Sequence, residues 1–317
     1  MKVVKVMSFG SPEELVLAEV GQGEVGLGQV VIAVEAAGVG HVDLLMRKGF
    51  FPGFSSPGFV PGIEVAGTVI KIGDKVNKGW MGQRVFAITP SGGYAEEVVV
   101  DHSALARIPE GVSATAAVAL GVNALVAEYS LEKAGCTFGQ NLLVRGAGGG
   151  IGVLSTQLAV LKGASVTAIT SSRYKQQKLE ALSVKKIIIG QEEGNDSHDR
   201  YDIIIDPVAG SGVQYFINKL NPNGRYILNG AAAGIPKDTF ASTLVSHFQK
   251  SLTVSCMSLT SIETPSLTST MEGLFDLAEK GRLLPIIAET YSLSEVAEAH
   301  RRLETGQAFG KIVIVIE

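Results

Sequence analysis

The stretch Val144-Arg145-Gly146-Ala147-Gly148-Gly149-Gly150-Ile151-Gly152 decides how this chain folds. Before it, Asn141 to Arg145 is a short apolar run that reads as a buried strand, and after it Ile151 to Lys162 carries helical spacing. Glycines at a strand-to-helix junction answer three needs of a dinucleotide fold. One allows the tight turn, one lets the backbone approach a pyrophosphate, and one lets the helix pack closely on the strand. The helix that follows turns its free N–H groups and dipole toward the phosphate. The best register is Ala147-x-Gly149-x-x-Gly152, with Gly150 and Ile151 opening the helix. An ordinary flexible glycine loop is the plain alternative.

The next strand, Ser165 to Thr170, bears on which dinucleotide fits. An NAD site places a carboxylate about 20 residues beyond the turn, on the ribose 2′-hydroxyl. Here Thr170-Ser171-Ser172-Arg173 stands instead, with Lys175 and Lys178 close behind. Hydroxyls and a guanidinium suit a 2′-phosphate, so NADP(H) is the expected cofactor. A solvated basic helix start is the alternative. Farther on, Asp206-Pro207-Val208-Ala209-Gly210 closes the strand from Tyr201 to Asp206. The C-terminal ends of parallel strands face the ligand crevice, so Val208 is expected at the adenine ribose.

On either side of this unit the chain changes character. Its first third reads as short Val- and Ile-rich strands, Gln29 to Glu35, Glu64 to Ile70, Arg84 to Ile88 and Tyr94 to Val100, separated by Pro-Gly and Gly-Gly turns. A helix is expected only around Val42 to Lys48. From Asn141 onward strands alternate with helices, which predicts right-handed crossovers and a parallel sheet. The final segment predicts helices over Met271–Lys280 and Ser294–Leu303 and a strand over Lys311–Ile316. The expected fold is α/β, a doubly wound parallel sheet inserted in a β-rich domain. The expected divisions are 1–119, 120–257 and a return over 258–317.

Composition narrows the function classes. The 317 residues include 27 Lys and Arg against 31 Asp and Glu, a net charge of −4, with a pI near 5.8. Nothing here attracts nucleic acid or an anionic membrane. The longest uncharged stretch, Gly111 to Ala127, contains Ser113, Thr115 and Asn123 and reads as a buried helix, not a membrane span. Lys2 leads straight into a strand-like pattern without an apolar leader core, and two cysteines, Cys136 and Cys256, make no disulfide framework. A cytoplasmic location is expected.

Several further motifs join the glycine turn: Ala36-Ala37-Gly38-Val39 with Asp43, Val60-Pro61-Gly62-Ile63-Glu64-Val65-Ala66-Gly67, Gly92-Gly93-Tyr94-Ala95-Glu96, Asn123, and Gly310-Lys311. Over nearly its full length the chain resembles the medium-chain dehydrogenase/reductase superfamily, in its zinc-independent quinone oxidoreductase branch. The resemblance implies a GroES-like catalytic domain split around a Rossmann domain, with the cofactor in the cleft between them, and a homodimer. It places the backbone of Asn229, Gly230 and Ala231 against the nicotinamide carboxamide. Zinc-dependent relatives carry a Cys where this chain has Gly40 and a His where it has Ile63, and neither residue here offers a ligand atom. A lone His41 and Glu64 do not replace that set.

What the resemblance then implies is hydride transfer from NADPH to an electrophilic acceptor, a quinone or an α,β-unsaturated carbonyl. The pocket candidates are Gly40, Asp43, Tyr94 and Asn123, with no trusted proton donor among them. Tyr94 and Asn123 are equally readable as packing and local capping. The loop Phe50-Phe51-Pro52-Gly53-Phe54 suggests an apolar acceptor or a packed surface loop. Two other functions stay open. Enoyl-thioester reduction is weakened by Leu45, where some such relatives carry a Tyr. A non-catalytic NADPH-binding role, regulatory or RNA-binding, also stays open, and the acidic charge balance speaks only against its RNA-binding form.

Overall fold

The computed structural model describes residues 1–50, 56–190, 199–236 and 240–317. Of the aromatic loop, only Phe50 lies within the described residues, and its side chain is exposed. In chain order the first elements are strands β1 (Lys2–Val6), β2 (Leu15–Glu19) and β3 (Gln29–Val39), helix α1 (His41–Arg47), and strands β4 (Glu64–Ile72), β5 (Arg84–Ile88), β6 (Glu97–Asp101) and β7 (Leu105–Arg107). Helix α2 (Ala114–Lys133) follows. Strands β8 (Asn141–Val144), β9 (Ser165–Thr170), β10 (Lys186–Ile189), β11 (Tyr201–Asp206), β12 (Leu220–Leu228) and β13 (Thr253–Cys256) then alternate with helices α3 (Gly150–Leu161), α4 (Arg173–Glu180), α5 (Val213–Ile217) and α6 (Phe240–Ser246). The chain ends with α7 (Thr264–Glu279), β14 (Ile287–Ser292), α8 (Val296–Glu304) and β15 (Lys311–Val315).

Two compact units result. One comprises Met1–Val122 with Ile262–Glu317, the other Asn123–Ser261. In the second, the sheet order is β10-β9-β8-β11-β12-β13 and every pair is parallel. This is the doubly wound order, whose reversal lies between β8 and β11. Its strands are apolar on both faces: Leu142, Leu143, Ile203, Ile204 and Ile205 have no exposed surface. In the first unit, a sheet of order β14-β15-β3-β4-β5-β7, with β6 also on β3, is antiparallel except for the β14–β15 pair. The C-terminal strand joins this sheet, with Ile312 opposite Val39 and Val315 opposite Ala36.

The structure corrects several boundaries. The expected strand from Tyr94 begins only at Glu97, because Tyr94 N donates to the Pro61 carbonyl and Val4 N reaches the Tyr94 carbonyl, outside the β3–β6 ladder. The apolar run before the glycines ends at Val144, since the Arg145 side chain turns into the interior. Strands β2, β7, β13 and β14 and helix α6 are additions to the sequence reading. The long apolar helix α2 has two-thirds of its apolar window buried, as a core helix does.

Helix α2 is broken at Gly121, whose φ of 31° and ψ of −136° lie outside helical geometry. The Glu64 carboxylate fills the break. Its Oε2 accepts from Val122 N at 2.7 Å and so caps the second helical segment. A Cβ at Gly121 would overlap that oxygen and stand 3.1 Å from the Phe86 ring. Gly121→Ala is therefore expected to lower the stability of this unit by about 3 kcal/mol, by displacing a buried carboxylate from its donors. Chemical denaturation checks this, and a loss below about 0.5 kcal/mol, the range of ordinary surface changes, would mean that the break does not depend on Glu64.

Candidate functional site

In the first unit, polar side chains gather beneath the turn between β3 and α1. Glu64 and Lys311 form a buried ion pair, with side chains 1% and 3% exposed. Gly38 leaves room for the carboxylate, since a Cβ there would overlap it. Asp43, fully buried, accepts from Gly40 N at 2.8 Å through Oδ2 and from Gly62 N at 3.0 Å through Oδ1. It thereby closes the first turn of α1 and fixes the turn before β4. Burial pushes its pKa up to about 6 despite the two backbone donors and Lys311, and the nearby Glu64 charge adds to the rise. His41 keeps solvent access, but the protein packed around it and the Lys311 and Lys48 charges hold its pKa below 6.5.

Tyr94 lies behind Asp43, wholly buried, with its hydroxyl 3.1 Å from His300 Nε2. The His300 Nδ1 faces Arg47 Nη1 at 3.4 Å, and Arg47 Nη2 donates to Glu304 at 2.6 Å. A guanidinium only donates, so Nδ1 must accept and Nε2 carries the proton. Nε2–H then donates to the Tyr94 oxygen, and burial, with the Asp43 and Glu64 charges, raises the Tyr94 pKa so that the phenol keeps its proton. Burial, reinforced by Arg47, presses the His300 pKa down to about 3, so the ring is neutral. Tyr94 is thus a core residue whose hydroxyl is held by His300. Sequence reading missed His300, which lies 206 positions away on α8.

In the second unit, the glycine turn sits at the switch point of the sheet. Gly146 has φ of +58°, and a Cβ there would stand 2.7 Å from Val208 Cγ2. Gly149 is the N-cap of α3 and supplies no side-chain cap to its free N–H groups. Gly152 packs on the Gly146 carbonyl so closely that a Cβ would overlap it, and Ala147 is fully buried beneath. Gly150 leaves room for the Asn123 amide, and Ile151 is half-buried beside it. Gly148 abuts Lys175, whose Cδ would lie 2.6 Å from a Cβ, and Thr170, whose Oγ1 is buried without a hydrogen-bond partner.

Of the basic segment, Ser172 is the N-cap of α4, accepting from Lys175 N at 3.3 Å. Ser171, Arg173 and Lys178 are exposed, Lys178 lying over the Tyr174 ring at 5.9 Å. Of this segment's cations the buried one is Lys175, because a residue in the first turn of a helix leans toward the N-terminus. Val208 and Ala209 donate their N–H groups to Asp206 Oδ1, and Arg145 Nη1 donates to Asp206 Oδ2 at 2.5 Å. Asp206 therefore holds its own turn in shape. After β12, Asn229 N donates to the Asp206 carbonyl, Gly230 passes against the Pro207 backbone, and Ala231 is exposed. Among the described residues, no three His, Cys, Asp or Glu side chains are grouped as metal ligands.

Comparison with known proteins agrees with this geometry. Residues 167–314 match the family described as "Zinc-binding dehydrogenase", and residues 26–110 match "Alcohol dehydrogenase GroES-like domain". The synaptic vesicle membrane protein VAT-1 homolog of Danio rerio is 30% identical over 314 residues, covering 92% of this chain and 64% of that protein, so the chain spans less than two-thirds of its length. The quinone oxidoreductase of Mus musculus is 29% identical, covering 100% of this chain and 98% of that one. The Escherichia coli quinone oxidoreductase, solved in complex with NADPH, superposes with a TM-score of 0.92 at 23% identity, covering 99% and 100% of the two chains. At that identity the likeness is one of fold.

Asp43 gives the first unit a pH signature. Its folded pKa is raised from 3.8 to about 6, so its contribution is fully present below pH 3.8 and is lost as pH rises through 6. The loss amounts to about 3 kcal/mol. Asp43→Asn removes this slope but turns an amide NH₂ toward one of the two N–H donors, Gly40 N or Gly62 N, an expected loss of about 2 kcal/mol. Unfolding curves of both proteins from pH 4 to 7 check it, and parallel pH profiles would contradict it.

Proposed function

Because the chain belongs to the medium-chain dehydrogenase/reductase superfamily, as a distant member of its quinone oxidoreductase/VAT-1 branch, we propose that it is an NADPH-dependent, zinc-independent reductase of quinones or α,β-unsaturated carbonyls. The observation that carries the reading is the α3 N-terminus, left uncapped by Gly149 and framed by Gly146, Gly148 and Gly152 at the switch point of the parallel sheet. At Gly146, Gly148 and Gly152 a side chain would have to displace a neighbour, which leaves a backbone cradle for a pyrophosphate.

Ala147, Gly149, Gly150, Ile151 and Gly152 would hold the pyrophosphate, and Val208 would line the adenosine side. Ser171, Ser172, Arg173, Lys175 and Lys178 supply hydroxyls and positive charge for a 2′-phosphate. Asn229, Gly230 and Ala231 would meet the nicotinamide. When bound, NADPH supplies a hydride; the chain's own task is to orient acceptor and donor and to exclude water.

The residues present do not fit a catalytic zinc. Gly40 and Ile63 carry no ligand atom, Asp43 is taken up by the Gly40 and Gly62 N–H groups, and Glu64 is engaged by Lys311 and Val122 N. A Cβ at Gly40 would lie 3.9 Å from Lys311 Nζ, so an ammonium borders that position. Acceptors that spread the arriving charge over their own π-system need no Lewis acid, and a quinol can take its proton from water. A homodimer is part of the same proposal: β13 is an edge strand of the parallel sheet, and Val245 and Phe248, shortly before it in the chain, are exposed.

Purified protein stripped with a chelator should oxidise NADPH when offered an ortho-quinone or an alkenal, the faster acceptor separating the two chemistries. Silence with both acceptors, with nucleotide still bound, would replace this reading by a non-catalytic NADPH-binding one. Arg173→Glu should weaken NADPH about tenfold, the scale of one charge-assisted phosphate contact, and leave NADH nearly unchanged. Equal losses for both nucleotides in a binding titration would remove the 2′-phosphate assignment.

A further inference from the structure

Asn229 holds a buried acceptor that the protein does not satisfy. The residue is 8% exposed, and its Oδ1 has no hydrogen-bond partner. Buried polar atoms are rarely left so, and each exception asks for a missing donor. Here the orientation of the amide is fixed by its other end. Asn229 Nδ2 donates to Ser130 Oγ at 2.9 Å, and Ser130 Oγ gives its own proton to the Val126 carbonyl at 2.6 Å. With that proton committed, Ser130 Oγ can only accept, so Asn229 must present NH₂ to it. The amide cannot turn over to relieve Oδ1, and the free end is always the acceptor.

The position of this acceptor narrows its partner. Asn229 is the first residue past the C-terminal end of β12, in a sheet where such ends face the ligand. Ser130 lies two helical turns beyond Asn123 on α2, so the two share a helix face. Asn123 meets Gly150 at the α3 N-terminus. One face of α2 therefore serves both the phosphate turn and Asn229.

We infer that Asn229 Oδ1 is a specificity acceptor for an amide N–H of the bound nucleotide, the NH₂ of the nicotinamide carboxamide, with Ser130 as the positioning residue that locks it. This rests on the nucleotide reading above and adds to it a side-chain contact where backbone alone was expected. The consequence is discrimination at the 3-substituent of the pyridine ring. A carboxamide gives Oδ1 its donor; an acetyl group of the same shape gives none and leaves the oxygen unpaired.

The test is calorimetric binding of NADP⁺ and of its 3-acetylpyridine analogue to the ligand-free, full-length protein. Wild type should prefer the carboxamide about tenfold, the scale of one buried hydrogen bond. Asn229→Leu should bind both equally, while its unfolding temperature without ligand equals or exceeds that of wild type. Ser130→Ala, which keeps Asn229 but frees its amide to rotate, should lose part of the preference and covers the case in which the leucine variant fails to fold. An undiminished preference in these variants, or none in wild type, overturns the inference while leaving nucleotide binding intact. Failure of wild type to bind either nucleotide would instead bring down the nucleotide reading, and this one with it.

Discussion

A carboxylate buried in a break in a helix is the constraint around which this chain is organised. Glu64 starts β4, yet its side chain enters α2 at Gly121, takes the N–H of Val122, and meets the ammonium of Lys311 from the last strand. A lone buried charge is prohibitive, and even a paired one carries a desolvation penalty that only near-complete hydrogen bonding offsets. The sequence meets that demand from separate places: Lys311 with the positive charge, Val122 with the helix N–H, Gly38 and Gly121 with the space. Removing any one leaves the others facing an unpaired ion. The pair therefore specifies more than it stabilises, because β15 can dock on β3 only in the register that brings Lys311 to Glu64.

The same carboxylate fixes where the second segment of α2 begins. Asn123 and Ser130, both on that segment, lie two helical turns apart and so share one face of it. From that face Asn123 meets Gly150 and Ser130 meets Asn229.

The fold was legible in the sequence to the degree that its determinants were local. Strands β8 and β11 carry the apolar runs Leu142-Leu143-Val144 and Ile203-Ile204-Ile205 of parallel-sheet type, and the glycines between β8 and α3 admit few readings. Strands with mixed composition were not legible: Thr253–Cys256 carries two hydroxyls in four residues and takes its place only because β12 offers it an edge. The same division runs through the site. Turn glycines could be read in place, since their neighbours in sequence are their neighbours in space. Lys175 and Arg173 could not be told apart, as both follow Ser172; helical phase alone buries one and exposes the other. Tyr94 read as a strand residue because its partner His300 comes from the far end of the chain. Glu64 and Lys311, 247 positions apart, show no sequence sign of being a pair.

Hydrogen-bond accounting separates scaffold from site. Asp43 is held by Gly40 and Gly62, Glu64 by Lys311 and Val122, and Asp206 by Val208, Ala209, Arg145 and Tyr226. Groups so occupied have nothing left to offer a ligand, and their chemistry is that of holding backbone in place. Thr170 Oγ1 and Asn229 Oδ1 are different: both are buried, both lack partners, and they stand at the C-terminal ends of β9 and β12. Carboxylates attract attention first in a search for catalysis, but in this chain they are the spent groups. Thr170 and Asn229 are neutral side chains at strand ends, which suits a protein whose task is to orient a cofactor carrying its own reactivity.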